Sequence, residues 1–301
     1  MNFGEITARS IIQKSGLSAT SYSVNTFTGC THACVYCYAC FMRRLKDRAE
    51  PWGSYADAKI NAAELFARDL KKLRAGGDVF FGSVTDVYQP LEKKNRLMRG
   101  ILSHLNERRE QASAESAAVR AGYFPGMEPE PAAPPLISFS ILTKSDLVLR
   151  DLDLLTQLPE ISVGFSIALL DERVRAILEP GAVSIARRLD ALGTLHDSGV
   201  RTFVFINPTL PYLTPISEIM AAIRGKADSV FGESLNQRCG NLPTIFQAVE
   251  RVDPALVTPF RRALDDPVWL AERKREFLEA ARRNKIATDG FWDHSKTTRG
   301  D

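Results

Sequence analysis

The chain has 301 residues, 45% of them hydrophobic and 25% charged, and its 39 Lys and Arg against 36 Asp and Glu give a formal net charge of +3. This composition fits a globular protein with a sizeable core, and the length allows either one large α/β domain or two average domains. The small charge excludes a protein that is basic over its whole surface. Because the sequence has no run of eighteen apolar residues and no signal-like start, we expect a cytoplasmic protein without a membrane span.

The first predicted strand, Tyr22 to Thr28, leads directly into a segment rich in cysteine. Cys30, Cys34 and Cys37 have the spacing CxxxCxxC, which lets one short loop place three thiolates around a cubane iron-sulfur cluster. That arrangement leaves the fourth iron without a protein ligand, so this iron can take part in chemistry. We therefore predict that these three cysteines bind a 4Fe-4S cluster.

Cys40 follows Cys37 at a CxxC interval and supplies a fourth thiol. A four-thiolate zinc site and an electron-transfer cluster with all corners closed are therefore alternatives. Zinc sites usually have two CxxC pairs separated by a longer loop, whereas the pairs here share Cys37, which favours the three-cysteine site. We expect His32, inside the loop, to order it through a hydrogen bond rather than to bind metal.

Beyond the cysteines, short apolar runs alternate with helical patterns. Six strand-helix units in series predict an α/β fold, a partial (β/α)6 TIM-like barrel with parallel strands inside and helices outside. In such barrels the reactive groups lie at the carboxyl ends of the strands, which is where the cysteine loop falls. The later predicted strands are Asp78 to Val84, Leu136 to Leu142, Ile161 to Leu169, Arg201 to Asn207 and Asp228 to Ser234, and the predicted helices are Ala58 to Leu73, Leu91 to Arg109, Ser184 to His196 and Ile216 to Gly225.

The domain organisation follows from the same pattern. Residues 1–240 are predicted to form the barrel, and residues 111–135, rich in Ala, Glu and Pro, are predicted to be an exposed insertion. A linker between two domains is the alternative for that insertion. Residues 241–301 are predicted to be a helical C-terminal extension that packs on the barrel.

The cysteine motif, with the aromatic Tyr36 before its last cysteine, resembles the radical S-adenosylmethionine (SAM) superfamily. Polar motifs at the predicted strand ends extend the similarity to the branch related to spore photoproduct lyase, often labelled DNA repair photolyases. The resemblance implies a 4Fe-4S cluster and SAM as cofactors. It also implies a set of SAM-binding residues, namely Tyr36 beside the adenine, Gly82 and Ser83 at the methionine amino group, Thr143 and Lys144 at the carboxylate or ribose, and Ser166 and Asn207 as further polar contacts.

Other polar residues are expected at the same mouth. A cluster after the second predicted strand and another after the last could contact substrate, although a purely structural turn before Pro90 is an equal alternative for the first. The three histidines outside the cysteine loop, His104, His196 and His294, are expected at the surface or at helix ends. The substrate candidates are Asp86, Tyr88, Gln89, Glu233, Asn236 and Arg238, and the candidate hydrogen donors to a substrate radical are Cys40, Tyr88 and Cys239.

The resemblance implies an enzyme that reductively cleaves SAM to a 5'-deoxyadenosyl radical, with flavodoxin or ferredoxin as electron donor. DNA lesion repair would require a basic rim, for which Arg43, Arg44, Lys46 and Arg48 are candidates, with a solvated helix face as the alternative. A peptide or a small metabolite is the other substrate class. Cys40 stands where this branch commonly has Arg, which leaves the substrate open.

Overall fold

A computed structural model of the chain describes residues 1–16, 20–46, 48–73, 77–121 and 137–294. The strands of the described residues are β1 (Asn2–Ile6), β2 (Ile12–Lys14), β3 (Tyr22–Val24), β4 (Phe27–Gly29), β5 (Tyr55–Lys59), β6 (Asp78–Phe81), β7 (Ser138–Thr143), β8 (Ile161–Ser166), β9 (Arg201–Thr209), β10 (Ser229–Ser234) and β11 (Ala287–Trp292). The α-helices are α1 (Met42–Leu45), α2 (Ala62–Leu70), α3 (Glu92–Asn95), α4 (Leu97–Ala121), α5 (Leu152–Leu155), α6 (Glu172–Leu178), α7 (Ile185–Asp197), α8 (Ile216–Ile223), α9 (Leu242–Val252), α10 (Val257–Leu264) and α11 (Pro267–Asn284).

The main sheet contains eight of these strands in the order β2-β3-β6-β7-β8-β9-β10-β11. Its pairs are parallel except β2 with β3, which is antiparallel. Helices connect successive parallel strands, as the α/β partial-barrel prediction requires. In register, Thr143 on β7 lies opposite Phe165 on β8, and Ser166 lies opposite Phe205 on β9. The strand ends that carry the predicted polar residues therefore share one edge of the sheet.

A second, three-stranded sheet supports the cysteine loop. Two predictions differ from the structure in this region. The predicted strand from Tyr22 to Thr28 is divided, because β3 joins the main sheet while β4 pairs antiparallel with β5. The predicted helix from Ala58 starts only at Ala62, because Tyr55–Lys59 is a strand whose buried residues face the interior. The φ of Gly29 is +88°, and a Cβ there would lie 2.5 Å from the carbonyl oxygen of Tyr55. Glycine is thus required where the chain enters the loop.

The predicted helix from Leu91 to Arg109 is two helices. Arg96 adopts a left-handed conformation, φ 51°, between α3 and α4. The carboxylate of Glu92 accepts hydrogen bonds from the backbone N–H groups of Leu97 and Met98, at 2.9 and 3.0 Å, and so caps α4. Helix α4 runs on to Ala121, into the predicted insertion, whose remainder from residue 122 lies outside the described residues.

The C-terminal region contains α9, α10 and α11 but also a strand that the sequence pattern did not predict. Strand β11 pairs parallel with β10, with Phe291 opposite Gly232. A Cβ on Gly232 would lie 2.7 Å from the rings of Phe277 and Phe291, so the missing side chain lets α11 and β11 pack directly on β10. The proposed boundary near residue 240 therefore falls before a segment that returns to the main sheet. Among the described helices, none has the length and apolar character needed to cross a membrane.

Candidate active site at the carboxyl ends of the strands

The thiols of Cys30, Cys34 and Cys37 lie together in the loop after β4, where Cys30 is buried and the other two residues are partly buried. Burial raises the pKa of each thiol to about 12. Interactions between the thiols add to the effect, because Cys37 acts on Cys30, Cys30 on Cys34, and Cys34 on Cys37. All three are free cysteines. Three adjacent buried thiols become thiolates only when a cationic group compensates their charge, as bound iron does.

The candidate cluster site contains a further hydrogen-bond donor besides the three thiols. No three His, Cys, Asp or Glu side chains in the described part of the chain are grouped to hold one metal ion. A cubane cluster binds each thiolate through a different iron, so its ligands lie further apart. The indole N–H of Trp52 is buried without a protein hydrogen-bond acceptor. It lies beside the Cys37 thiol. This donor is available to a cluster sulfur.

His32 orders the cysteine loop, as expected from the sequence. Its Nδ1 lies 3.0 Å from the carbonyl oxygen of Gly181, and its Nε2 lies 2.9 Å from the Asp86 carboxylate. A Cβ on Gly181 would lie 2.1 Å from the carbonyl oxygen of Thr31, so only glycine allows this close approach. The backbone N–H of Gly181 also donates to the carbonyl of His32, at 2.9 Å. The segment after α6 thus holds the cysteine loop in place through the contacts of Gly181 with His32.

Asp86, Tyr88 and Gln89, predicted either as part of the pocket wall or as a structural turn, are buried and make hydrogen bonds within the protein. Asp86 accepts hydrogen bonds from the Thr143 hydroxyl, at 2.8 Å, and from the Lys144 backbone N–H, at 2.7 Å. Gln89 is fully buried and accepts from the backbone N–H of the loop residue after Cys30, at 3.0 Å. Tyr88 is fully buried, and its hydroxyl donates to the Asp151 carboxylate, at 3.1 Å. Tyr88 therefore also lacks the access that a hydrogen donor to substrate needs.

A charged pocket lies beside Cys34 and contains three predicted residues. The Lys144 ammonium contacts the Ser166 hydroxyl, lies 5.8 Å from the centre of the Tyr36 ring and is 3.8 Å from the Glu179 carboxylate. Glu179 also accepts a hydrogen bond from the Tyr36 hydroxyl. It forms an ion pair of 2.5 Å with Arg188. The lysine, the aromatic ring and the serine that were predicted from separate segments are thus brought together.

The charges of this pocket leave an excess of positive charge. Burial alone would raise the pKa of Glu179, but Lys144 and Arg188 outweigh it and hold the pKa below its usual value. Glu179 is therefore a carboxylate facing two cations. Buried charges are stable only when they are paired, so the pocket favours one further anionic group. A carboxylate-bearing ligand meets this requirement, and Lys144, with a side-chain exposure of 12%, is the accessible cation.

Sequence reasoning missed Glu179 and Arg188, although the sequence carries a signal for one of them. Arg188 lies on the buried face of α7 with Ile185 and Leu192, so a charged residue interrupts an apolar stripe. Such a residue needs a buried partner. Glu179 precedes a Pro-Gly pair that reads only as a turn, and no local pattern indicates that its side chain points inward.

The turn after β6, at Gly82 and Ser83, brings the backbone into close contacts. The φ of Gly82 is +94°, and a Cβ there would lie 2.9 Å from the carbonyl of Leu142. The Ser83 hydroxyl accepts a hydrogen bond from the Asn25 side chain, at 2.9 Å, and its carbonyl accepts one from the Tyr38 hydroxyl. These contacts fix the turn at the edge of the site without using the Gly82 carbonyl in any of them.

The other side of the mouth is formed by β9, β10 and β11. The Asn207 side-chain amide donates to the Glu233 carboxylate, which also lies 3.1 Å from Nε2 of His294. The hydrogen bond to Glu233 raises the pKa of His294. His294 was expected at the surface or at a helix end; it follows β11, its side chain is 37% exposed, and it pairs with Glu233.

Three of the remaining predicted residues, Cys40, Arg238 and Cys239, line a separate cavity of about 690 Å³ beside the cysteine loop. The Cys40 thiol donates to the carbonyl oxygen of Cys239, at 3.3 Å, so these two candidate hydrogen donors are neighbours. Asn236 accepts from the backbone N–H of Arg238, at 3.0 Å, and acts as a local cap. The cavity is lined by Cys40, Phe41, Arg43, Arg44, Arg48, Arg238, Cys239 and Gly240.

A comparison with protein families identifies this combination of loop and strand ends. Residues 24–224 match the family described as the radical SAM superfamily. The chain belongs to the radical SAM superfamily. The match covers the cysteine loop, the Lys144 pocket and Asn207, and it ends before Glu233 and β11.

Individual relatives agree with this membership. An uncharacterized protein of Methanocaldococcus jannaschii is 29% identical over 279 residues, which cover 90% of this chain and 93% of the relative. A solved structure of a spore photoproduct lyase variant with bound AdoMet and dinucleoside spore photoproduct has a TM-score of 0.62 at 15% identity, covering 98% of this chain and 82% of that one. SuiB of Streptococcus suis, solved with its precursor peptide SuiA, has a TM-score of 0.51 at 13% identity, covering 90% and 48%. At these identities the two structures show a shared fold.

Superfamily membership settles the cofactors and the class of protein. Radical SAM proteins are enzymes that use a 4Fe-4S cluster and SAM, so this chain is an enzyme and not a zinc or electron-transfer module. The buried thiols, the spare N–H of Trp52 and the positive excess beside Cys34 fit those two groups.

Proposed function

We propose that Cys30, Cys34 and Cys37 hold the cluster, and that the pocket beside Cys34 holds SAM. The observation that carries this proposal is the surplus positive charge at Lys144, next to buried thiols that need iron. When bound, the two groups supply one-electron cleavage of the SAM sulfonium to a 5'-deoxyadenosyl radical, which removes a hydrogen atom from substrate. The protein supplies the positioning and the water exclusion.

Each predicted SAM-binding residue has a role that its position allows. Lys144 binds the SAM carboxylate, and Ser166 holds the ammonium toward it. The Tyr36 ring, fixed through its hydroxyl by Glu179, lies beside the adenine. The backbone of Gly82 and Ser83 accepts from the methionine amino group, Thr143 orients the lysine backbone through Asp86, and Asn207 supplies a polar contact at the far side.

Substrate then occupies the side of the mouth bounded by Glu233 and His294, with the thiols of Cys239 and Cys40 nearby. Burial raises the pKa of Cys239 to about 11 and raises that of Cys40 as well. Both therefore remain thiols at neutral pH. A thiol, unlike a thiolate, carries the hydrogen that a substrate radical needs, which supports their assignment as candidate donors.

The first substrate candidate is a DNA lesion, by similarity to spore photoproduct lyase. The arginines around the 690 Å³ cavity would contact phosphates at the rim. Binding of this kind weakens steeply as salt is added. Gel-shift titrations with undamaged and UV-damaged DNA at two salt concentrations test it, since no binding at low salt contradicts the assignment.

The second candidate is a basic peptide, which a different cavity favours. A cavity of about 930 Å³ lies outside the ends of β8 and β9. Its lining includes the acidic residues Asp171, Glu172 and Glu218, the rings of Tyr212 and Trp269, and Arg273, whose guanidinium lies 5.7 Å from the centre of the Trp269 ring. Tyr212 is 58% exposed. Carboxylates beside aromatic faces suit cationic side chains. Binding of a lysine-rich peptide, lost in Asp171→Lys, would support this candidate, whereas unchanged binding would contradict it.

The cofactor chemistry is tested without knowledge of the substrate. Anaerobically reconstituted protein is expected to hold about four irons per chain and, with dithionite and SAM, to form 5'-deoxyadenosine slowly. Cys34→Ala is the control and should form none. Full iron content without any 5'-deoxyadenosine would contradict the proposal.

A further inference from the structure

We infer that the basic surface behind the cysteine loop is the docking surface for an acidic one-electron carrier protein, such as a flavodoxin. This surface, called the arginine surface below, consists of Arg43, Arg44, Lys46, Arg48 and Arg238 around the side chain of Leu45. The inference rests on the proposed function, because only a cluster at Cys30, Cys34 and Cys37 gives the electron a destination.

The position of the arginine surface is the first argument. Helix α1 starts five residues after Cys37, and the turn Tyr38–Phe41 connects them. The proposed SAM pocket is built on the ends of β7 and β8, where the Lys144 ammonium contacts Ser166 and lies 5.8 Å from the centre of the Tyr36 ring. An electron carrier at the arginine surface would thus approach the loop from the side of α1 and not through the Lys144 pocket.

A continuous series of contacts joins the arginine surface to Cys37. The Arg48 guanidinium lies 4.6 Å from the centre of the Tyr55 ring. The Tyr55 ring packs edge-on against Trp52, with centroids 6.1 Å apart. Trp52 in turn lies beside the Cys37 thiol, on whose pKa it acts. Packed aromatic side chains, rather than a water-filled gap, therefore separate the surface from a cluster ligand.

The composition of the arginine surface fits a short-lived protein complex. Leu45 is 65% exposed and lies between Arg44 and Lys46 in the sequence. Within the described residues, no carboxylate pairs with Arg44 or Arg238, whereas Arg48 lies 2.7 Å from the Asp57 carboxylate and 3.7 Å from that of Glu50. Weak redox encounters bury little area and combine a small apolar contact with complementary charge, which steers association. An acidic partner supplies the missing carboxylates.

The redox step is a single electron transfer. The anionic flavin hydroquinone of the carrier loses one electron and becomes the neutral semiquinone, and the oxidised cluster gains that electron. No bond forms or breaks, and no proton is transferred.

The experiment uses the reconstituted holoenzyme and a bacterial flavodoxin in the hydroquinone form. Stopped-flow absorbance gives the rate of semiquinone formation, and flavin fluorescence gives the affinity of the complex. The double variant Arg43→Glu with Arg44→Glu is expected to slow reduction at low salt by about tenfold or more and to weaken binding in parallel. Added salt should slow the wild type toward the variant, a measurement that needs no substitution.

The matched control is Arg282→Glu with Arg283→Glu. These exposed neighbours end α11 just before β11 starts, at the opposite end of the strands from the cysteine loop. This variant should be reduced at the wild-type rate. Iron content and reduction by dithionite, which needs no docking surface, should be unchanged in both variants.

The outcomes distinguish failure of the docking inference from failure of the proposed function. Reduction of the Arg43 and Arg44 variant by flavodoxin at the wild-type rate would overturn the inference, even if dithionite still supports 5'-deoxyadenosine formation. Loss of oligonucleotide binding with unchanged flavodoxin reduction would also overturn it, and would assign the arginine surface to nucleic acid. Failure of dithionite to give any 5'-deoxyadenosine would instead reject the proposed function.

Discussion

The two sides of the mouth are built differently. On the β7 and β8 side, Tyr36, Glu179 and Arg188 are at most 5% exposed and are linked by direct contacts. On the β9 to β11 side, the side chains of Glu233 and His294 are 18% and 37% exposed. The first side holds charges that are stable only while every partner is present, whereas water can replace a partner on the second.

This difference indicates how one fold combines a fixed reaction with different substrates. A buried charge network tolerates one ligand of matching charge and shape, as a common cofactor requires. A half-exposed pair can exchange contacts at small cost. The match to the superfamily covers the first side and ends at residue 224, before Glu233.

The largest expected effect concerns the cluster itself. Replacing Cys30, Cys34 or Cys37 by Ala should abolish stable iron binding, because two thiolates do not hold a cubane that uses three. Cys40→Ala should keep about four irons per chain. Iron analysis and visible absorbance measure both. Survival of the cluster in Cys30→Ala together with its loss in Cys40→Ala would overturn the ligand assignment.

The next effect compares the two sides through stability. Glu179→Ala leaves Arg188 buried without its partner and should lower the free energy of unfolding by about 3–5 kcal/mol. Glu233→Ala removes a partly exposed pair and should cost less than about 1 kcal/mol. Urea unfolding of the cluster-free proteins provides the comparison. Equal losses in the two variants would show that the sides do not differ as described.

A smaller effect concerns SAM. Lys144→Ala removes a charge-assisted contact worth roughly 1.5–3 kcal/mol, so the dissociation constant of SAM should rise by about ten- to a hundredfold. Equilibrium binding to the reconstituted protein measures it, and iron content should not change. Lys94→Ala, an exposed lysine of α3, is the control. Unchanged affinity in Lys144→Ala would remove this residue from the site.

The smallest effect is a shift in the titration of His294. Its pKa is raised by Glu233, so Glu233→Gln should lower it toward the ordinary histidine value. The pKa of His294 is higher in the folded than in the unfolded protein. The pair with Glu233 therefore contributes its full stabilisation below the unfolded-state pKa, and this stabilisation is lost as pH rises through the folded-state pKa. NMR titration of the imidazole measures this shift. A pKa that does not move in Glu233→Gln would show that the pair is not formed in solution.

The sequence predicted those parts of the site that depend on local spacing or on strand ends. Cys30, Cys34 and Cys37 lie in one loop. Lys144 follows β7 and Ser166 ends β8, so the parallel sheet brings these two to the same edge. Glu179 and His294 could not be predicted in this way. Their roles depend on pairings with residues far along the chain, Tyr36 and Glu233, for which short patterns carry no information.

The prediction of secondary structure was wrong at two places for a related reason. The run from Ala58 to Leu73 has a helical pattern, but tertiary pairing of Tyr55–Lys59 with β1 and β4 converts its start to a strand. The polar and glycine-containing sequence of β11 likewise gives no alternation typical of a strand. Its conformation is determined by β10, beside which it lies.

The pairing of β10 with β11 has a consequence for shortened versions of the protein. Helices α9 to α11 are the crossover connection between two parallel strands, so a truncation at residue 240 removes a strand as well as helices. It would expose the hydrogen-bonding edge of β10 and the apolar surface at Gly232 that Phe277 and Phe291 cover. Open edges of this kind recruit other chains. A fragment cut there should therefore self-associate, whereas the longer chain keeps that edge covered.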